Sequence, residues 1–258
     1  MASCTPAATY IDCDVEEPNG HLFFKPENVK IQEVTAIYPL FQKDLCQNCR
    51  ACVQFCKFHA LAYVGKAPMV FKDVCHGCGG CQLVCPNGAV SMGTRPVGVV
   101  ETGIHDGVTV VTGRLNLGEA SAVPVIHASL EAGCSAELTV IDCPPGSSCS
   151  VMESVAQADY CLLVVEPTAF GFHNFQMVHQ LVALMGKPFG MVINKEDGPY
   201  PPLVDYCADN GLSILARFAY RPDLAKSGAE GKIAVEEDGV IAQSFRQLLS
   251  DISREVAP

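Results

Sequence analysis

Residues 9–20 read TYIDCDVEEPNG. A short apolar run at Tyr10 and Ile11 leads into two aspartates, Asp12 and Asp14, and then into a Pro-Asn-Gly turn. This is the pattern of a buried strand handing over to a charged loop at its carboxyl end. Three later stretches repeat the form: AELTVIDCP (136–144), YCLLVVEP (160–167) and FGMVINK (189–195). Helix-length segments, 147–158 and 173–186, separate them. Apolar runs that do not alternate are buried on both faces, so the pattern predicts a parallel sheet with helices on either side.

Outside this repeat, VGVVETG (97–103) and VTVVTGRLNLG (108–118) read as two strands joined by a turn. Residues 119–133 read as a helix with Pro124 near its start, and SILARFAY (213–220) as a further strand. Ile241, Phe245, Leu248, Leu249 and Ile252 recur at helical spacing, which predicts a closing helix over 239–254. The 258 residues suffice for one α/β domain with a small insert. A formal net charge of −11 argues against nucleic acid or an anionic membrane as partner, since like charge repels phosphate. No run of eighteen apolar residues predicts a membrane span, and the first residues do not read as a signal peptide. The expectation is a cytoplasmic chain.

The fifteen cysteines are clustered, with eight of them between Cys46 and Cys85. In a reducing compartment such clusters read as metal ligands. CQNCRACVQFC (46–56) and CHGCGGCQLVCP (75–86) both follow C-x2-C-x2-C-x3-C. Three cysteines at intervals of three wrap one corner of an iron–sulfur cube, and the fourth ligates the other cluster in two-cluster ferredoxins. On that rule Cys46, Cys49, Cys52 and Cys85 hold one [4Fe–4S] cluster, and Cys75, Cys78, Cys81 and Cys56 hold the second. The competing ion is zinc, which uses two separated C-x2-C pairs and has no need of a third cysteine in each motif. His59 and His76 lie in the block, but eight ligand positions are already filled, so both read as surface or packing residues. The block resembles a bacterial two-cluster ferredoxin over residues 44–92, with Lys57 where that family places a proline after the fourth cysteine.

The strand ends carry a second chemistry. Asp142, after an apolar strand, suits a hard cation such as Mg²⁺ held through water. It equally suits the N-terminus of a helix starting near Ser147. From the local residues both readings stay open.

YIDCDVEEPNGHLF (10–23), GRLNLGEASAVPVI (113–126), VIDCPPGSSCSV (140–151), LLVVEPTAFGFHNF (162–175) and GMVINK (190–195), together with the cysteine block, resemble the MinD/ParA-like P-loop ATPases with an inserted ferredoxin domain. The resemblance implies an α/β fold: a doubly wound, mostly parallel sheet over residues 1–40 and 94–258, with an α+β ferredoxin-like insert over 41–93. It implies that Asp12 and Asp14 lie near the attacking water and that Asp142 is linked to Mg²⁺. It places Asn194 on the adenine base, Gly146 in the second switch loop and Pro222 near the base-binding loop.

That family opens with a strand and a Gly-rich loop of the type GKGGxGKT, whose amides cradle phosphate. No such stretch occurs in these 258 residues, so the expectation is no meaningful ATP hydrolysis by the chain as written, with ATP and Mg²⁺ bound only if that loop is supplied. A longer reading frame is favoured over a nucleotide-free derivative, because deleting a central strand costs many kcal/mol against a stability of roughly 5–15 kcal/mol. The function expected is electron transfer or iron–sulfur assembly on this scaffold. Its partners would be a redox or cluster-acceptor protein and a second copy or a related ATPase. The alternatives are an ATPase coupling hydrolysis to electron or cluster transfer, and a non-catalytic subunit of an intact paralogue. Cys13, Cys143 and Cys149 flank the two loops and read as small buried residues, as Cys4, Cys134, Cys161 and Cys207 read as packing positions. Glu16, Glu17 and the run Glu236–Glu237–Asp238 read as solvent-facing.

Overall fold

The computed structural model describes residues 1–133 and 136–256. Cys134 lies outside the described residues. The chain begins with β1 (Thr9–Asp12), a short α1 (Gly20–Phe24) and a long strand β2 (Glu27–Phe41). The cysteine block contributes α2 (Ala51–Phe55), a hairpin of β3 (Leu61–Val64) and β4 (Ala67–Val70), and α3 (Gly80–Leu83). Then follow β5 (Val90–His105), β6 (Val108–Leu115), α4 (Val123–Gly133) and β7 (Thr139–Asp142). The remainder alternates α5 (Cys149–Ala156), β8 (Cys161–Val165), α6 (Ala169–Leu184), β9 (Phe189–Glu196), α7 (Pro201–Asp209) and β10 (Ile214–Ala219). It closes with α8 (Pro222–Ala229), α9 (Ala234–Glu237) and α10 (Gly239–Val256).

Every residue of β1 is buried, as the opening stretch predicts. The strand lies between β6 and β7 and is parallel to both. The full order is β2-β5-β6-β1-β7, with β2, β5 and β6 antiparallel. A hairpin turn at Asp106–Gly107 joins β5 to β6, and both residues take positive φ (45° and 83°), as a tight two-residue connection between twisted strands requires. A second sheet, β10-β9-β8, is wholly parallel.

The sheet is therefore divided, where the sequence suggested a single one. β7 pairs only with β1 and β8 only with β9, so each keeps one edge without a strand partner among the described residues. Val164, in the middle of β8, is 60 % exposed. Each sheet has its own core. Ile11, Val100, Val111, Val125 and Ile126 pack β1, β5, β6 and α4 together. Val151, Leu163, Phe175, Val182, Met191 and Leu203 do the same for the second sheet with α5, α6 and α7. α6 begins earlier than its periodicity suggested, because Thr168 accepts the Gly171 N–H at 3.0 Å and caps it just after Pro167.

β2 and β5 run side by side from Glu27↔Ile104 to Phe41↔Val90. This two-stranded arm carries the cysteine block at its far end. Residues 90–93, assigned from sequence to the insert, belong to β5, so the insert and the scaffold share continuous strands.

Candidate metal centre

The two cysteine motifs fold into the same loop twice. Asn48 and Gly77, each just before a second cysteine, have φ of 61° and 65°. Arg50 and Gly79, each just after it, have φ of 61° and 72°. His59 and Gly88, three residues past each fourth cysteine, have φ of 53° and 60°. Glycine takes this left-handed conformation freely and asparagine tolerates it, whereas arginine and histidine are strained there. Arg50 has compensation, since its guanidinium lies over the Tyr63 ring at 5.0 Å. In each repeat a helical turn begins one residue before the third cysteine, at Ala51 and at Gly80.

The flanks of the two loops are exchanged. Gln42 N–H donates to the Ala89 carbonyl at 2.9 Å, and Phe71 N–H donates to the Ala60 carbonyl at 2.9 Å. Phe41 pairs with Val90 and Val70 with Leu61 in the same sense. The segment entering each motif is thus bonded to the segment leaving the other. This crossing carries Cys85 to the first loop, where it lines one cavity with Cys46, Cys49 and Cys52. Cys52, Cys56, Cys81 and Cys85 share one apolar cluster, and Cys75 and Cys78 lie close enough to Cys81 to act on its thiol.

All eight cysteines are free of disulfides. Burial raises the Cys52 thiol, and it pushes Cys81 up to about 11. These two buried thiols therefore favour the protonated form, and metal binding would displace their protons. The cysteine sulfurs do not meet at one point: among the described residues no three His, Cys, Asp or Glu side chains gather as a single-ion site. The donor chemistry of the cavity lined by Cys46, Cys49, Cys52 and Cys85, four thiols drawn from two loops, fits a multi-iron group. His76 stacks on Phe58 at 3.9 Å and stays exposed, as a packing role requires.

At the strand ends, β1 and β7 lie in register, so Asp12 stands opposite Asp142, and Cys13 N–H donates to the Asp142 carbonyl at 2.9 Å. Asp12 is buried, and its carboxylate accepts the N–H groups of Asp14 (3.2 Å), Asn19 (3.0 Å) and Gly20 (2.9 Å). Its oxygens shape the loop that follows. Burial raises its carboxyl, and the Gly20 N–H opposes that rise. Asp142 does not cap α5, whose N-cap is Ser148. Its carboxylate instead accepts the Tyr10 hydroxyl at 2.6 Å. One side of Asp142 is open to solvent, yet the protein packed about it raises its carboxyl and nearby Asp14 adds to the rise.

Gly146 turns the chain after Pro144–Pro145 with φ of 88°. Asn194, on β9, and Pro222, opening α8, lie at the carboxyl end of the second sheet. The structure thus gathers Asp12, Asp14, Asp142 and Gly146 at one sheet and Asn194 with Pro222 at the other. Among the described residues no hydrogen bond joins the two groups.

Other expectations divide. Glu16 and Glu17 face solvent. Asp238 does not: it pairs with Arg221 at 2.6 Å and accepts the Val240 and Ile241 N–H groups at the start of α10. Cys161 and Cys207 are core residues, as is Cys13, whereas Cys149 is exposed. Burial pushes Cys13 and Cys143 each up to about 12. Tyr10 and Gly20 were missed in the sequence. The only signal was their place flanking the Asp12 loop.

A family signature described as "4Fe-4S dicluster domain" matches residues 38–86. The chain carries a 4Fe–4S dicluster domain. This domain sits on a fold shared with MinD. MinD of Pyrococcus horikoshii, solved with Mg-ADP, superposes with a TM-score of 0.56 at 14% identity, over 97% of this chain and 85% of that one. The cell division ATPase MinD of Pyrococcus furiosus gives 0.55 at 16%, over 98% and 88%. At such identity the likeness speaks for the fold alone.

Two uncharacterised proteins of Methanocaldococcus jannaschii are similar in sequence. MJ0579 is 28% identical over 72% of this chain and 68% of its own length. MJ0578 is 31% identical over 72% of this chain and 66% of its own length. The match therefore spans about two thirds of each relative. No helix among the described residues is long and apolar enough to cross a membrane.

Proposed function

We propose that this chain is an electron-transfer protein whose dicluster domain holds two [4Fe–4S] clusters. Cys46, Cys49, Cys52 and Cys85 would ligate one, and Cys75, Cys78, Cys81 and Cys56 the other. The observation that supports this reading is the crossed pairing of Gln42 with Ala89 and Phe71 with Ala60, together with Cys85 lining the cavity of Cys46, Cys49 and Cys52. Bound clusters would each supply one reversible electron at a potential tuned by their surroundings. The chain's part is to hold the thiolates and temper their charge. Ala89 N–H donates to Cys85 Sγ at 3.3 Å, a bond that stabilises a thiolate. Lys57, in place of a proline, sets a cation next to Cys56.

Anaerobic purification followed by iron and acid-labile sulfide analysis tests this: about eight of each per chain are expected. Stoichiometric zinc with no sulfide overturns it. A chromophore that bleaches on reduction and recovers on meeting an acceptor supports electron transfer. One lost to an apo-acceptor protein supports cluster delivery instead.

A second reading, nucleotide coupling, rests on the three aspartates gathered beside the unpaired edge of β7 and on the shared fold with MinD, a neighbour solved with Mg-ADP. Asp142 offers oxygen to a hard cation. The phosphate-binding amides would have to come from outside these 258 residues, for example from a related partner chain. ATP binding and turnover, measured on the chain alone and mixed with a longer homologue, tests it. Absence of both in the mixture removes it.

A further inference from the structure

Beside the dicluster domain lies an open groove of about 640 Å³, formed by the end of β2 and the β3–β4 hairpin. Lys43, Lys66 and Lys72 line it, and no carboxylate does. All three lysines are exposed, and Lys72 Nζ is steadied over the Tyr38 ring at 4.2 Å. Leu40, Val64 and Met69 expose apolar surface between the charges, at 43 %, 60 % and 47 %. Two of the groove's residues, Phe41 and Pro68, also wall the cavity of Cys46, Cys49, Cys52 and Cys85. One layer of side chains separates the basic groove from the first set of ligands.

We infer that this groove is the docking surface for an acidic protein electron carrier, and that the cluster behind Phe41 and Pro68 is the one through which electrons enter or leave. The inference rests on the cluster reading above. A chain of net charge −11 repels an acidic partner over most of its surface, so a basic concavity free of carboxylates is where such a partner is drawn in. Exposed apolar side chains ringed by charge match the core and rim of a transient interface. With a cluster held by Cys46, Cys49, Cys52 and Cys85, the exchange would be one electron given up by the carrier's reduced centre and taken up by that cluster, with no bond made or broken.

The test uses the full chain with its clusters and, as probe, a purified acidic plant-type [2Fe–2S] ferredoxin. Reduction of the chain by the reduced probe is followed by stopped flow, and the affinity of the oxidised probe by calorimetry at low salt. Wild type is expected to bind and react more weakly as salt rises. The combined variant Lys43→Glu, Lys66→Glu, Lys72→Glu is expected to lose at least tenfold in both affinity and rate and to lose the salt dependence. Lys43→Gln with Lys66→Gln, which leaves the Lys72–Tyr38 contact in place, is expected to show a smaller loss of the same sign. Iron content and the rate of reduction by photoreduced deazariboflavin, a neutral reductant, are expected to stay unchanged in both. Unchanged affinity and rate with intact clusters overturn the docking surface alone. A wild-type chain without iron and sulfide overturns the cluster reading and this inference with it.

Discussion

The Tyr10 hydroxyl donates to the Asp142 carboxylate at 2.6 Å across the β1–β7 pair, and Tyr10 itself packs on Phe24 with ring centroids 4.7 Å apart. The Asp142 side chain is therefore held by the scaffold through a residue of β1. Tyr10→Phe removes one charge-assisted bond and is expected to lower stability by about 1–2 kcal/mol, read as a shift in the denaturation midpoint at constant slope. Gly20→Ala is expected to cost at least as much. A Cβ there falls 2.4 Å from the Tyr10 ring, which has no room to retreat from Phe24. An unchanged midpoint in both variants would show that this contact does not order the loop.

The two strand-end aspartates set a pH dependence. Burial raises the carboxyls of Asp12 and Asp142 above the usual 3.8, so the folded chain binds protons that the unfolded chain releases. The stability these groups contribute is full below pH 3.8 and is lost as pH rises through their raised values. Asp142→Asn keeps an acceptor for Tyr10 but cannot ionise. Its stability relative to wild type is expected to be nearly level at pH 3.5, to improve as pH rises through the raised carboxyl and then to level off, measured by urea denaturation at each pH. A constant difference across that range contradicts the raised carboxyl.

The proposed exchange of ligands between the loops makes a pairing prediction. Cys85→Ala is expected to abolish the same cluster signal as Cys46→Ala, and the double variant to lose no more than either single one. Cys85→Ala with Cys75→Ala is expected to lose both clusters, because the two changes strike different sets. Iron analysis and electron paramagnetic resonance of the reduced protein read the outcome. If Cys85 instead behaves as a member of the Cys75 set, the assignment is wrong.

The matched left-handed positions differ in what they tolerate. Gly77 has φ of 65°, and a Cβ there would meet the Ile37 carbonyl oxygen at 2.6 Å. Gly77→Ala combines that clash with a backbone strain of about 1–2 kcal/mol. Asn48→Ala, at the equivalent place in the first loop, meets the strain without a backbone clash and loses only the exposed bond its Oδ1 accepts from the Tyr63 hydroxyl. Gly77→Ala is therefore expected to depress iron content more than Asn48→Ala; equal losses would show that the arm does not seat the second loop.

Much of the fold was legible because its signals are local. The apolar runs at 139–142, 161–165 and 189–196 became strands, and the closing helix buries Ile241 and Leu248 as their spacing implied. Start points were less legible: α6 begins at Ala169 because of a cap, and α4 begins only at Val123. The capping at Asp238 was hidden, since an acidic run reads as solvated surface until its partner, Arg221, is known to lie beside it.

What the sequence determined by itself is the chemistry of the cysteines and the parallel, layered plan, since both follow from residue type and short-range spacing. Only the tertiary structure decided which segments cross, so that Ala89 bonds to Gln42 and Ala60 to Phe71. It alone placed Tyr10 on Asp142, set a lysine-lined groove against the cavity of Cys46, Cys49, Cys52 and Cys85, and left β7 and β8 each with an edge unpaired among the described residues. The physical reason is that these relationships join residues far apart in the chain. No local preference encodes them; they are settled when buried surfaces and backbone hydrogen bonds are satisfied together.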